Sequence, residues 1–152
     1  MTTMIPAQRL QLPETAPRQY GALLRLDRSV ELDTTLAELI RIRASQLNGC
    51  AFCLDMHWKD AREHGESEER LYSLSAWREA RVYDERERAA LALTEAVTRV
   101  EIDDDVWERA RAQFDDDELA QVVFAITVIN AWNRLCVATR VEPGHYVPGM
   151  FG

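Results

Sequence analysis

Between Ser45 and Gly65 the chain reads SQLNGCAFCLDMHWKDAREHG, which places Cys50, Cys53 and His57 within eight residues. Two thiols three residues apart can make and break a disulfide, and an imidazole four residues further on can carry a proton near neutral pH. That is the chemistry of a dithiol redox site. A helix opening at Cys50 puts all three side chains within an arc of about 60°, because each residue advances by 100°. Its first turn leaves backbone N–H groups unsatisfied and carries the positive end of the helix dipole, which favours thiolate over thiol.

An imidazole that relays protons needs a partner to fix its tautomer and stabilise its cation. The Asn48-Gly49 pair stops the preceding helix, so that helix runs antiparallel to the one carrying the cysteines. His57 lies eight residues past Gly49, about 12 Å at the helical rise, and Glu38 lies ten residues before Asn48, about 15 Å. The mismatch is less than one turn, within reach of a Glu side chain. Glu38, His57 and Cys53 therefore form the expected relay, while Arg41 and Arg43 read as solvated charges on an exposed face. Position alone leaves open which thiol attacks: the helix terminus favours Cys50 and the imidazole favours Cys53.

Other residues carry less chemistry. A zinc site could draw on Cys50, Cys53, His57 and Glu38, but consecutive turns of one helix with a single nitrogen ligand make a poor tetrahedral set. Cys50 and Cys53 can also be read as small core residues without a task, and Cys136, between Leu135 and Val137, reads as core packing. His64 and His145 lack motif context and are expected at the surface. Asn130, Asn133 and Arg134 call for hydrogen-bond partners on an apolar helix, and Trp77 and Trp132 suit core or interface anchors. The runs Asp103–Asp105 and Asp115–Asp117 sit at helix starts and read as caps, not as metal sites.

The elements that must position these groups are all helical. Apolar residues recur at spacings of three and four, strand alternation is missing, and glycine and proline gather at the two ends. Helices are expected near 17–26, 33–47, 50–64, 67–76, 84–100, 103–114 and 116–139. Asp84 with Glu87 makes a capping-box start. The last helix is apolar around most of its circumference and is the expected buried centre. With 152 residues, 47% of them hydrophobic, the chain is expected to form a single all-α domain, with residues 1–17 as an N-terminal extension and 141–152 as an irregular tail.

The formal charge of -8 argues against nucleic-acid and anionic-membrane partners, which require a positive face. No apolar run reaches the roughly 18 residues of a membrane span, and no apolar signal-peptide core opens the sequence, so a cytoplasmic location is expected. Three cysteines with a tight Cys-x-x-Cys point in that setting to redox or metal chemistry.

The segment LAELIRIRASQLNGCAFCLDMHWKDAREHG resembles the AhpD-like alkylhydroperoxidases of the carboxymuconolactone decarboxylase superfamily. Their pattern is a Glu twelve residues before the first Cys of Cys-x-x-Cys-x-x-x-His, matched by Glu38, Cys50, Cys53 and His57. The likeness continues through AWREARVYDERERAALALTEAVT and VINAWNRLCVATR. It implies an AhpD-like helical bundle assembling into trimers or hexamers, and a thiol peroxidase without metal or other cofactor. In that scheme Cys53 is the peroxidatic thiol that attacks a hydroperoxide, Cys50 resolves the sulfenic acid as a disulfide, His57 relays the proton and Glu38 orients His57. A dithiol carrier, lipoyl- or thioredoxin-like, reduces the disulfide. Phe52 stands where the best-known AhpD proteins have a second histidine. Two other readings remain beside this one: a redox-responsive binding protein, and non-redox decarboxylase- or isomerase-like chemistry with Glu38 or His57 as base.

Overall fold

The computed structural model describes residues 6–151, and every regular element among them is helical. The helices are α1 (Leu12–Thr15), α2 (Pro17–Arg28), α3 (Thr34–Asn48), α4 (Ala51–Glu63), α5 (Glu68–Ser73), α6 (Glu85–Arg99), α7 (Asp104–Gln113) and α8 (Asp116–Thr139), with a 3-10 turn at Leu74–Ala76 after α5. The helix expected at 67–76 thus splits into a short α-helix and a tighter turn.

Acidic residues start most of the long helices. Asp33 accepts the Leu36 N–H and Asp103 that of Val106. Asp84 with Glu87 and Asp115 with Glu118 form complete capping boxes, each satisfying two backbone donors reciprocally. The aspartate runs are caps, as the sequence suggests.

The centre of the bundle is α3 rather than α8. Residues 36–40 of α3 are buried without interruption, and Leu39, Ile40, Ile42 and Ala44 have at most 1% exposure. The helix faces α6, α7 and α8 through Leu36 and Ile40, and α4, α5 and α6 through Leu39 and Ile42. Helix α8 instead keeps Phe124 and Val137 about half exposed. By length and composition α8 could cross a membrane, with a mean hydropathy of 1.5 over 18 residues. The apolar residues are not a continuous run, since Gln121, Thr127 and Asn130 interrupt them, and only the average over the window is that high. Here α8 packs on α3, α6 and α4 as a core helix.

Both terminal segments are attached to the bundle. In the N-terminal extension, residues 1–5 lie outside the described residues, α1 forms one turn, and the Arg9 N–H donates to the Thr139 carbonyl at 2.8 Å. Residues 141–151 form no helix or strand, and residue 152 lies outside the described residues. The tail lies across α4: Tyr146 Oη donates to Asp60 at 2.7 Å and the Gly144 N–H to Asp55 at 3.0 Å.

Candidate active site

The α3–α4 hairpin is set by its junction. Gly49 adopts φ 65°, a left-handed conformation that glycine reaches without a side-chain penalty. Its N–H donates to Gln46 O and that of Cys50 to Ser45 O, a Schellman closure of α3. Cys50 then caps α4, its Sγ accepting the Cys53 N–H at 3.4 Å. Gly49 ends the first helix and the next residue, Cys50, opens the second, which fixes the dithiol at a helix N-terminus.

Cys50 and Cys53 are joined as a disulfide, with Cα atoms 5.4 Å apart. Cys50 is fully buried and Cys53 is 3% exposed. His57, one turn further along α4, is also buried. Its Nδ1 lies 2.9 Å from Glu38 Oε2, across from α3, so the carboxylate expected to face His57 does so. With Nδ1 donating to that carboxylate, Nε2 is the nitrogen left to exchange a proton.

Glu38 is held ionised. Burial pushes its carboxyl up, but the His57 hydrogen bond, the imidazole charge and the Arg41 guanidinium together outweigh that and leave it below the ordinary carboxylate value. Arg41 Nη1 sits 2.7 Å from Glu38 Oε1, and Arg41 Nη2 lies 3.3 Å from Asp27 Oδ1 on α2. Asp27 Oδ2 in turn accepts the Trp132 indole N–H at 3.1 Å. These contacts form one chain, His57–Glu38–Arg41–Asp27–Trp132, spanning α4, α3, α2 and α8. Arg41 is not the solvated charge expected: its position three residues after Glu38 puts it on the same buried face. Arg43 is likewise engaged, with Nε 2.9 Å from Glu95.

A cavity of about 260 Å³ opens onto this arrangement. Cys53, His57 and Asp27 reach it, Cys50 does not, and most of its wall is apolar, including Tyr20, Phe52, Trp132 and Phe151. Tyr20 and Trp132 meet edge to face at 5.2 Å, and Phe52 and Phe151 lie 6.5 Å apart. Both terminal segments contribute wall, which their irregular sequences gave no means to foresee.

Of the remaining residues singled out above, Asn133 is fully buried and donates to Ser45 Oγ, while Asn48 donates to both Asn130 and Asn133. These amides tie α8 to the end of α3. Trp77 is core, donating to Glu95 at 2.8 Å. His64 and His145 are exposed. Glu38 is committed to His57 and Arg41, which removes it from the zinc set. Cys136 packs against the core, as expected, and in addition its Sγ lies within 4.8 Å of both disulfide sulfurs and it lines the cavity.

The carboxylates give a testable pH dependence. Glu38 and Glu95 both lie below their ordinary value of 4.5 in the folded protein; for Glu95, burial is outweighed by Trp77, Arg78 and Arg43. The unfolded chain therefore binds more protons as the pH falls through this range. Their contribution to stability is complete above pH 4.5 and is lost as the pH falls through the folded values. Urea denaturation from pH 7 to 3 should show stability dropping below about 4.5, and Glu38→Gln should flatten the slope. An equally steep slope in that variant would show that Glu38 does not contribute.

Residues 15–96, just over half of the sequence, match the carboxymuconolactone decarboxylase family. The chain belongs to that family. It is 39% identical over 138 residues to the uncharacterized protein YdfG of Bacillus subtilis, covering 87% of this chain and 94% of that one. Among solved structures, a protein of unknown function from Agrobacterium tumefaciens, provisionally described as an antioxidant defence protein AhpD, superposes with a TM-score of 0.87 at 38% identity, covering 92% of this chain and all of the other. The debrominase Bmp8 shares the fold alone, with a TM-score of 0.76 at 19% identity over 88% of this chain and 73% of its own. The family and its AhpD-like architecture are thereby shown, and the range of named chemistries means the reaction must be argued from the site.

Proposed function

We propose that the protein is a thiol-dependent hydroperoxide reductase in which Cys53 is the peroxidatic thiol and Cys50 the resolving one. The observation that carries this reading is that Cys53 and His57 share the cavity wall while the partner sulfur Cys50 stays behind it. The Cys53 thiolate attacks the distal oxygen of ROOH, the O–O bond breaks, and ROH leaves with a proton from His57 Nε2. Cys53 becomes a sulfenic acid; the Cys50 thiol attacks its sulfur, water leaves and the disulfide forms. A dithiol then exchanges with the disulfide, is oxidised in its place and restores both thiols. Glu38 acts through His57 by fixing its tautomer and stabilising its cation, which makes it a positioning residue. The apolar wall suits an organic hydroperoxide better than hydrogen peroxide.

Purified protein should consume cumene hydroperoxide with dihydrolipoamide as electron donor, monitored by loss of peroxide. Glu38→Gln should lower kcat by about 10²-fold with KM nearly unchanged, and Glu38→Asp should recover part of the loss. A wild-type protein that leaves both peroxide and dithiol untouched would end the proposal. Turnover of a carbon-acid substrate that survives replacement of both paired cysteines would favour the non-redox reading.

A further inference from the structure

The mechanism above uses two sulfurs, yet the site holds three. Cys136 projects from α8, and its sulfur lies within 4.8 Å of those of Cys50 and Cys53, which belong to the α3–α4 junction. Ala44, Cys50, Cys53 and Ile129 form one buried cluster, and Phe52, Trp132 and Cys136 pack against it. Cys53 and Cys136 both line the cavity, whereas Cys50 does not.

We propose that Cys136 is a third redox thiol of the site, which exchanges with the Cys50–Cys53 disulfide at Cys53 and carries the disulfide onto α8. In the exchange the Cys136 thiolate attacks Cys53 Sγ. A Cys53–Cys136 bond forms as the Cys50–Cys53 bond breaks, and Cys50 leaves as a thiolate. Cys136 gives up one proton and Cys50 takes one up, so no oxidant or reductant is consumed.

Three features favour this direction. The leaving sulfur is the N-cap of α4, where the helix dipole and the Cys53 N–H stabilise a thiolate. The gap is short: a χ1 rotation moves a sulfur by up to about 3 Å, enough to bring two sulfurs from 4.8 Å to bonding distance. Finally, the attacked and attacking sulfurs share one cavity, so the reaction needs no opening of the bundle. Burial pushes the Cys136 thiol up to about 11, so the attacking thiolate is a minor species near neutral pH and the exchange is slow there and faster as the pH rises.

The same geometry makes Cys136 a second resolving thiol. Its attack on a Cys53 sulfenic acid releases water and gives the same α4–α8 cross-link. This arm rests on the peroxidase reading; the exchange arm rests only on the disulfide.

The test is Cys50→Ser, in which serine is itself a good N-cap, so α4 keeps its start. The variant, with wild-type circular dichroism, is oxidised with diamide, which forms disulfides without any peroxidase activity. It is then quenched in acid, alkylated and mapped by mass spectrometry without reduction. The peptide carrying Cys53 should be joined to the one carrying Cys136 in most molecules, within a monomer on non-reducing gels, and Cys136→Ser in that background should abolish the link. In the wild type, equilibration at pH 8 should give a minor fraction of the same link beside Cys50–Cys53. Alkylatable Cys53 and Cys136 after diamide, or only intermolecular dimers, would overturn the proposal. Failed hydroperoxide consumption with the cross-link present would sink the peroxidase reading and leave this one standing, and the reverse result would do the opposite.

Discussion

Serine at position 53 should leave a folded protein whose hydroperoxide consumption does not exceed the uncatalysed rate. The side chain changes by one atom at a buried first-turn position, so packing is nearly conserved. What disappears is the nucleophile. A thiol at a helix N-terminus is readily ionised, while a serine hydroxyl beside the same imidazole has no comparable anion to offer and no path to a sulfenic acid. Cys50 cannot substitute, because it sits behind the cavity wall with no measurable exposure. The check is a steady-state assay with cumene hydroperoxide and dihydrolipoamide, together with a thiol count before and after peroxide. Turnover in Cys53→Ser close to the wild-type rate would refute the assignment of Cys53. If instead Cys53→Ser stays active while Cys50→Ser is dead, the two roles are reversed.

The largest loss of stability is expected from Glu95→Ala. Glu95 is 2% exposed in the middle of α6, and its carboxylate accepts from the Trp77 indole at 2.8 Å, from Arg43 at 2.9 Å and from Arg78 at 2.5 Å. Truncation leaves the mostly buried Arg43 without its counter-charge and the Trp77 N–H without an acceptor. Removing one partner of a buried charged pair costs about 3–5 kcal/mol, far more than an exposed pair contributes, so the losses at Arg78 and Arg99 matter little. For a chain of this length that corresponds to a fall in Tm of roughly 10 °C. Glu95→Gln, which keeps an acceptor for Trp77 and loses the charge, should fall between the two. Thermal and urea unfolding of the three proteins provides the measurement, and a Glu95→Ala loss below about 1 kcal/mol would show that α6 is not anchored through this carboxylate.

Part of this arrangement is written locally in the sequence. Period and caps define the long helices, because each depends on residues within four positions of one another: Asp84 with Glu87, Gly49 after Asn48, and the apolar residues recurring at spacings of three and four in α3 and α8. The dithiol and His57 share a face for the same reason. Even Glu38, on another helix, follows from sequence, since a tight hairpin converts distance along the chain into distance in space. The family to which the chain belongs is visible in the same few residues.

What the tertiary structure decided is everything that joins segments far apart in the chain. Asp27 meets Arg41 across 14 positions and Trp132 across 105, so nothing near Arg41 marks it as buried and paired instead of solvated. Cys136 looks like an ordinary apolar-helix cysteine until α8 is laid beside the α3–α4 junction. The terminal segments lack periodicity and still close the cavity, and the exchange of central place between α8 and α3 depends on how many neighbours each helix meets. Local physics sets which faces are apolar and where helices begin; which faces meet is a property of the whole bundle, and the third sulfur belongs to that second category.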